Sequence, residues 1–470
     1  MTVTRNEAQD PSRAADGETI EDYITRGLAH LWVHTQQYNE LAKPDGFKVF
    51  VDGDGIWLTD MKGRRFIDCM SGLWVVNSGH GRQELADVAA DQMKQLSYVS
   101  SFAYATRPAV DLASKLAEIL PSTLNKVFFA NSGSEAVETA IKIAKQYHWN
   151  RGERRLYKVI ARRGSYHGVT AGALSVNSAA YTNRLPFEPL VPGTVPVDGV
   201  NCYRCAFEKS YPECDVFCAR HVETVIKNER PETIAALIGE PISVANGNYV
   251  PPDGYWPALR EICDRYGIVL IADEVINAFG RTGRWFATDH WDFEPDLMTM
   301  AKGLSSGYLP ISAVAASDRI VEAFVGERGD ALSGGITFGS HPVSCAVALA
   351  NVNIIERERL VENAATVGTR INEHLREMAE RHPSIGEVRG LGLLIAFETV
   401  KNRETKESFE EVDGWAEALS AGLFSRGVLV RGGNQVNIAP PLVMSAAEAD
   451  DLMERVDAAL GEAEAAVGLA

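Results

Sequence analysis

No stretch of this 470-residue chain is apolar for long enough to cross a bilayer, which as a helix takes about 20 consecutive apolar residues. There is no block of Lys and Arg either, and the formal net charge is −17. Nucleic acid is met by a basic patch, so that class of partner is excluded, as is a membrane. The acidity favours solubility and names no partner. Cysteine is scarce. Three of the seven, Cys69, Cys263 and Cys345, are scattered, which argues against a disulfide framework in so large a chain. Residues 1–20 are polar, without the basic opening and apolar middle of a secretory signal. They are expected to form a mobile tail, reaching to about Asp22, on a cytoplasmic protein.

What is present is ordinary for a globular chain: 46% apolar and 23% charged residues. The length predicts two or three lobes. From Val49 to Asp68 apolar residues alternate with turn signals, predicting a small antiparallel meander. Between about residues 80 and 345, short apolar runs alternate with helical stretches, the pattern of an α/β fold with a mostly parallel sheet. Beyond that, helices over Asn351–Ala379 and Ala446–Ala466 mix with strands at Leu393–Glu398 and Val428–Arg431. A smaller α+β lobe is expected there. The domain reading is a large lobe over 76–345, with a Cys-containing insertion at 201–219. Segments 21–75 and 346–470 together make the small lobe.

Three apolar runs end on polar residues. Lys126-Val-Phe-Phe-Ala130 leads into Asn131-Ser-Gly-Ser134 and a helix. Ile234–Ile238 ends at Glu240, and Ile268–Ala272 ends at Asp273. In open α/β sheets that edge binds ligands. Ser132, Gly133 and Ser134 can offer hydrogen bonds to a phosphate at a helix start, or can be a plain helix cap. Asp273 can hold a metal, pair with a buried cation, or cap the strand. Lys302, at the end of Asp296-Leu-Met-Thr-Met-Ala-Lys302, enters a Gly/Ser-rich turn. A desolvated Lys there is a nucleophile for carbonyls; on a surface it is only an amphipathic stem. Together, a phosphate cup, a strand-end carboxylate and such a Lys match the needs of pyridoxal phosphate.

The ordered set Asn131-Ser-Gly-Ser-Glu-Ala136, Ser165-Tyr-His-Gly168, Gly239-Glu-Pro241, Asp273-Glu-Val275 and Ala301-Lys-Gly303 resembles the class III, or ω-, aminotransferases. So do Phe279-Gly-Arg-Thr-Gly283 and Thr337-Phe-Gly-Ser-His-Pro342. The resemblance covers nearly everything after residue 20. It departs from the family at Ala278 and Ser340, where Gly is frequent. It implies a fold-type I transferase that depends on pyridoxal 5′-phosphate. Lys302 would bond the cofactor as a Schiff base and then carry a proton. Asp273 would pair with the pyridine nitrogen, Val275 and Tyr166 would cover the two ring faces, and Ser132, Gly133 and Ser134 would hold the phosphate. Thr337 would reach the neighbouring subunit's phosphate, implying a homodimer with active sites at its interface and room for a dimer of dimers. His167 and Glu240 would support the site, unless His167 only bonds nearby backbone.

The partners implied are a small-molecule amine and a keto acid, with pyruvate favoured. Ser71-Gly-Leu-Trp-Val-Val-Asn77 resembles the stretch that sets a Trp over the pocket in amine:pyruvate members. Trp74 would then join Phe102 and Tyr166 as an aromatic wall; the alternative is core packing. Arg431, in Gly427-Val-Leu-Val-Arg431-Gly-Gly, resembles a mobile Arg that takes a substrate carboxylate; the alternative is a surface ion pair. β-Alanine, taurine and 4-aminobutyrate transaminases, decarboxylases and aminomutases share these features. A cofactor-binding regulator would need a basic DNA-binding segment that is missing. Cys202-Tyr-Arg-Cys205 and Cys214-Asp-Val-Phe-Cys218 suit a tetrahedral zinc site by spacing, or remain free thiols or a redox-labile disulfide.

Overall fold

The computed structural model describes residues 18–179 and 182–469. Most of the expected tail lies outside them. Its last residues are helical, because a helix over Ile20–His30 is capped by Thr19, whose side chain accepts from the Asp22 amide. The meander follows: β1 (Phe50–Asp54), β2 (Trp57–Asp60) and β3 (Arg65–Asp68), all antiparallel. Asp60 closes the turn by accepting from the amides of Lys62 and Arg64, each at 2.9 Å.

The large sheet holds β4 (Leu124–Ala130), β5 (Lys158–Arg162), β6 (Thr194–Val197), β7 (Ile234–Gly239), β8 (Val269–Asp273), β9 (Leu297–Met300) and β10 (Ser312–Ser317). Its order is β4-β10-β9-β8-β7-β5-β6. Only β10 runs antiparallel to its neighbours. Every residue of β7, β8, β9 and β10 is buried, which is why these strands read as largely apolar runs, with Thr299 and the serines of β10 as small polar exceptions. The helix Gly133–Asn150 covers one face through Ala136, Val137, Ala140, Ile141 and Ala144. The carboxyl ends of β4, β5, β7, β8 and β9 share one edge, with Asn131, Ser165, Glu240, Asp273 and Lys302 on or just beyond them.

The expected long helix from Asn351 to Ala379 is two helices, Pro342–Arg357 and Leu360–Arg381. Arg359 breaks it in a left-handed conformation, φ +56°. A non-glycine residue in that conformation leaves no mark in hydrophobic periodicity. Next come β11 (Ile385–Leu391), β12 (Leu394–Thr399), β13 (Val428–Leu429) and β14 (Gln435–Ile438). The strand expected to reach Arg431 ends at Leu429 instead, and Arg431 lies beyond it in an isolated bridge to Asn437. β11, β12 and β14 form one antiparallel sheet, whereas β13 adds to the meander in parallel with β3. That pairing joins the two ends of the chain. Among the described residues no helix is long and apolar enough to cross a membrane.

Candidate active site

Lys302 opens a single 3₁₀ turn just past β9, with φ at +43°. That strained conformation for a side-chain-bearing residue holds only because its surroundings leave no alternative. A Cβ on Gly303 would sit 2.4 Å from Asn77 Nδ2, so the backbone presses against that side chain. Asn351 donates to the carbonyls of Gly303 and Leu304 at 2.9 and 3.0 Å. Lys302 is half-buried, open to the cleft yet tightly surrounded. Desolvation lowers its pKa to about 8, with the Asp273 and Glu240 carboxylates partly offsetting the effect.

Asp273 is 3% exposed and receives three donors. Thr299 Oγ1 and the Val275 amide donate to Oδ1 at 2.9 and 3.1 Å. His167 Nδ1 stands 2.6 Å from Oδ2, and since a carboxylate only accepts, that nitrogen carries the hydrogen. The parallel register of β8 with β9 sets Thr299 beside Asp273. The His167 ring therefore meets the site's central carboxylate rather than nearby backbone. Its own amide donates to Asn177 Oδ1 at 2.5 Å, and Asn177 Nδ2 donates to the Gly168 carbonyl at 2.5 Å. The other ring nitrogen is buried without a partner among the described residues.

Ser132 caps the helix Gly133–Asn150, accepting from the Glu135 amide at 3.3 Å, while Glu135 takes the Asn131 amide at 2.7 Å. The plain-cap reading is thus present. It leaves the amides of Gly133 and Ser134 at the positive end of a long helix. Three loops converge there. Ser134 Oγ accepts from the Val169 amide at 3.0 Å. A Cβ on Gly168 would lie 2.5 Å from Ser134 Oγ, and one on Gly133 would lie 2.9 Å from Val275 Cγ1. Val275 and Tyr166 are half-buried. Burial and the nearby Asp273 raise the Tyr166 phenol.

Glu240 follows β7 beside Arg162 at the end of neighbouring β5. Arg162 Nη2 lies 3.6 Å from Glu240 Oε2 and donates to the Glu240 carbonyl, while Oε1 is buried without a partner among the described residues. Burial pushes the Glu240 carboxyl up. Among the expected substrate residues, Trp74 is 6% exposed and packs in a core with Ile242, Val244 and Ala439. Phe102 is 69% exposed, its ring over Gly335. Thr337 lies in the same exposed loop, and its carbonyl accepts from the Tyr98 hydroxyl at 2.6 Å. Arg431 is exposed at its bridge to Asn437.

Sequence reading missed three residues. Thr299 was taken as part of an apolar run, though a lone polar residue in a fully buried strand is a usable signal. Asn177 carried no signal. Arg281 is fully buried and clasps distant segments. It donates to the Leu393 and Pro440 carbonyls at 3.1 and 2.5 Å, to Ser71 Oγ at 3.1 Å and to Asn77 Oδ1 at 2.8 Å. Burial lowers its pKa to about 9.

Residues 42–460 match the family described as Aminotransferase class-III. The putrescine–pyruvate aminotransferase of Pseudomonas aeruginosa is 37% identical over 425 residues, covering 90% of this chain and 92% of that protein. A thermostable (S)-enantioselective omega-transaminase from Thermomicrobium roseum is 40% identical, with a TM-score of 0.89 over 94% of this chain and 99% of its own. The Pseudomonas jessenii omega transaminase in complex with PMP is 34% identical, with a TM-score of 0.90 over 95% and 99%. Family, relatives and fold agree with the strand-edge cluster: this chain belongs to the class-III aminotransferases, which use pyridoxal phosphate to pass an amino group between small-molecule amines and keto acids.

Proposed function

We propose that this enzyme takes the amino group of a primary amine or ω-amino acid and delivers it to pyruvate, in two half-reactions that use one site in turn. The carrying observation is Lys302, half-buried and low in pKa, facing the Asp273 and Glu240 carboxylates. The cofactor fits the residues present. Glycine stands at 133, where a Cβ would strike Val275. Asp273 already has three donors around it. When bound, pyridoxal phosphate supplies the aldehyde carbon that receives nitrogen and a ring that withdraws electrons.

The chain does the rest. The amides of Ser132, Gly133 and Ser134 and the two serine hydroxyls would hold the phosphate. Asp273 would hold the pyridine nitrogen, and His167 orients Asp273. Val275 and Tyr166 confine the ring. The Lys302 amine would be the group that holds the cofactor's aldehyde carbon and, once released, the base that carries a proton at the substrate carbon. Phe102 and Tyr166 would bound the amine substituent, while Trp74, 6% exposed, packs in the core. Pyruvate as acceptor is supported by the Ser71–Asn77 stretch and by the likeness to the putrescine–pyruvate aminotransferase of Pseudomonas aeruginosa.

Arg431 is proposed to take the pyruvate carboxylate. A fixed cation would be left unpaired whenever an apolar amine filled the same space, and a buried unpaired charge is costly. A long side chain ahead of Gly432 and Gly433, the latter at φ +126°, can swing in or out. Arg431→Ala should weaken pyruvate binding by about 1.5 to 3 kcal/mol, the range for a charge-assisted hydrogen bond. The half-reaction with an uncharged arylalkylamine should change far less. Stopped-flow spectra of each half-reaction separate the two, and equal losses in both would remove the role. Failure to form alanine from pyruvate with any amine donor would sink the acceptor assignment itself.

The working unit is proposed to be a homodimer in which Thr337 reaches the partner's cofactor phosphate. Phe102, Tyr104 and Phe338 are 69%, 68% and 57% exposed around that loop, an apolar surface suited to a second copy. Sedimentation should give at least twice the 51.3 kDa chain mass. A single-chain mass at working concentration would end this reading.

A further inference from the structure

Four thiols lie outside the machinery described above. Cys202, Cys205, Cys214 and Cys218 all line one small cavity of about 20 Å³, with Lys209 and Phe217 also in its wall. That volume holds roughly one water-sized atom. Cys218 is within electrostatic reach of the other three, and none of the four is in a disulfide. Cys202 is exposed, which leaves a way in.

The loop that carries them needs an explanation. Between the end of β6 at Val197 and the helix Phe217–Asn228 there is no helix or strand. A loop this long inside a compact fold is uncommon unless something else orders it. Yet its conformation is specific. Glu208, Asp215 and Val216 hold positive φ values of 54°, 46° and 46°. Phe207 packs edge-on against Phe217 at 5.1 Å. The loop is also docked on the small lobe, where Arg204 donates to Glu398 and Lys406 donates to the Tyr203 carbonyl, each at 2.6 Å.

We propose that Cys202, Cys205, Cys214 and Cys218 bind one Zn²⁺ as a tetrahedral thiolate site that orders residues 198–216. Each pair has a spacer short enough to chelate one ion. As they stand, no three His, Cys, Asp or Glu side chains among the described residues are set to hold an ion. The site closes on its ion as it binds, and a loop without a backbone ladder offers little resistance to that. Four S–H bonds break, four S–Zn bonds form, four protons go to solvent and no electron moves. The resulting centre carries two negative charges, and Lys209 stands at its wall to offset one of them. The role is to order the loop, and the cofactor residues do not depend on it.

The test uses the full-length, cofactor-loaded enzyme produced with zinc in the medium and purified without chelator. About one zinc per chain is expected by plasma mass spectrometry. It should be lost from the Cys202→Ser/Cys205→Ser/Cys214→Ser/Cys218→Ser variant, whose cofactor absorbance should be unchanged. The wild type gives a second readout should that variant not fold. Four thiols should become reactive to a colorimetric thiol reagent only after chelation, with a melting temperature several degrees lower. Replacement by Co²⁺ should give the red-region bands of a tetrahedral thiolate site. Metal-free protein with all four thiols reactive overturns the proposal. So does zinc retained by the quadruple variant, or a metal-free chain lighter by four hydrogens, which would mean two disulfides.

Discussion

Lys302→Ala should reduce transamination by about four orders of magnitude or more, since it removes a covalent nucleophile and a proton carrier worth about 10²–10⁴ by itself. Borohydride reduction of the wild type should attach the cofactor to the peptide containing Lys302, and attachment elsewhere would refute the central assignment. The pH dependence follows from the burial of this amine. Its pKa is lowered from 10.5 to about 8, and only the unprotonated amine attacks an aldehyde. Uptake of pyridoxal phosphate by cofactor-free protein should therefore rise about tenfold per pH unit below about 8 and level off above it. For stability, the unfolded chain keeps this proton up to its ordinary pKa while the folded chain releases it near 8. Between those two values the unfolded state binds more protons, so the cofactor-free fold should gain stability as pH rises through that window. Below about 8 the cost of burying the charged amine is fully present. A pH-independent uptake rate would mean that Lys302 is not the attacking group.

Asp273→Asn should lower kcat by about 10²–10³, the loss seen when one preorganised electrostatic partner of the reacting centre is removed. The cofactor should stay bound, because Ser132, Gly133 and Ser134 are untouched. The substitution also disturbs the support around the carboxylate. Asp273 now accepts from Thr299, Val275 and His167. An amide presents one oxygen and one NH₂ group to those three donors, so His167 must shift its ring hydrogen from Nδ1 to Nε2, which has no partner among the described residues. A stability loss of about 1–3 kcal/mol, the cost of an unsatisfied buried group, should accompany the kinetic loss. Absorbance of the bound cofactor, single-turnover rates and thermal melting distinguish the two effects. Normal turnover with bound cofactor would remove Asp273 from the chemistry.

The strands β7, β8 and β9 were legible because burial on both faces leaves almost only apolar side chains along them, Thr299 being the exception inside β9, and Glu240, Asp273 and Lys302 stood out as the polar residues that end those runs. The meander was legible because its turns carry Asp-Gly and Lys-Gly signals at short spacing. Arg359, which divides a long helical pattern in two, was not legible, since the break is a backbone conformation at an ordinary residue. Nor was the parallel pairing of β13 with β3, which links residues hundreds of positions apart. The same limit hid the contact of His167 with Asp273 across 106 residues and the Arg281 clasp on Ser71, Asn77, Leu393 and Pro440.

By itself the sequence determined which segments must be buried, where each apolar run stops and which reactive side chain stands at the stop, because those are local consequences of hydrophobic patterning and turn chemistry. Only the tertiary structure decided which of those ends share an edge and which donors surround Asp273. It also decided that Trp74 is packed in a core and that four cysteines line one cavity. Such placements are set by strand order and loop packing, where the partners are far apart in the chain and the energy that selects them belongs to no single segment.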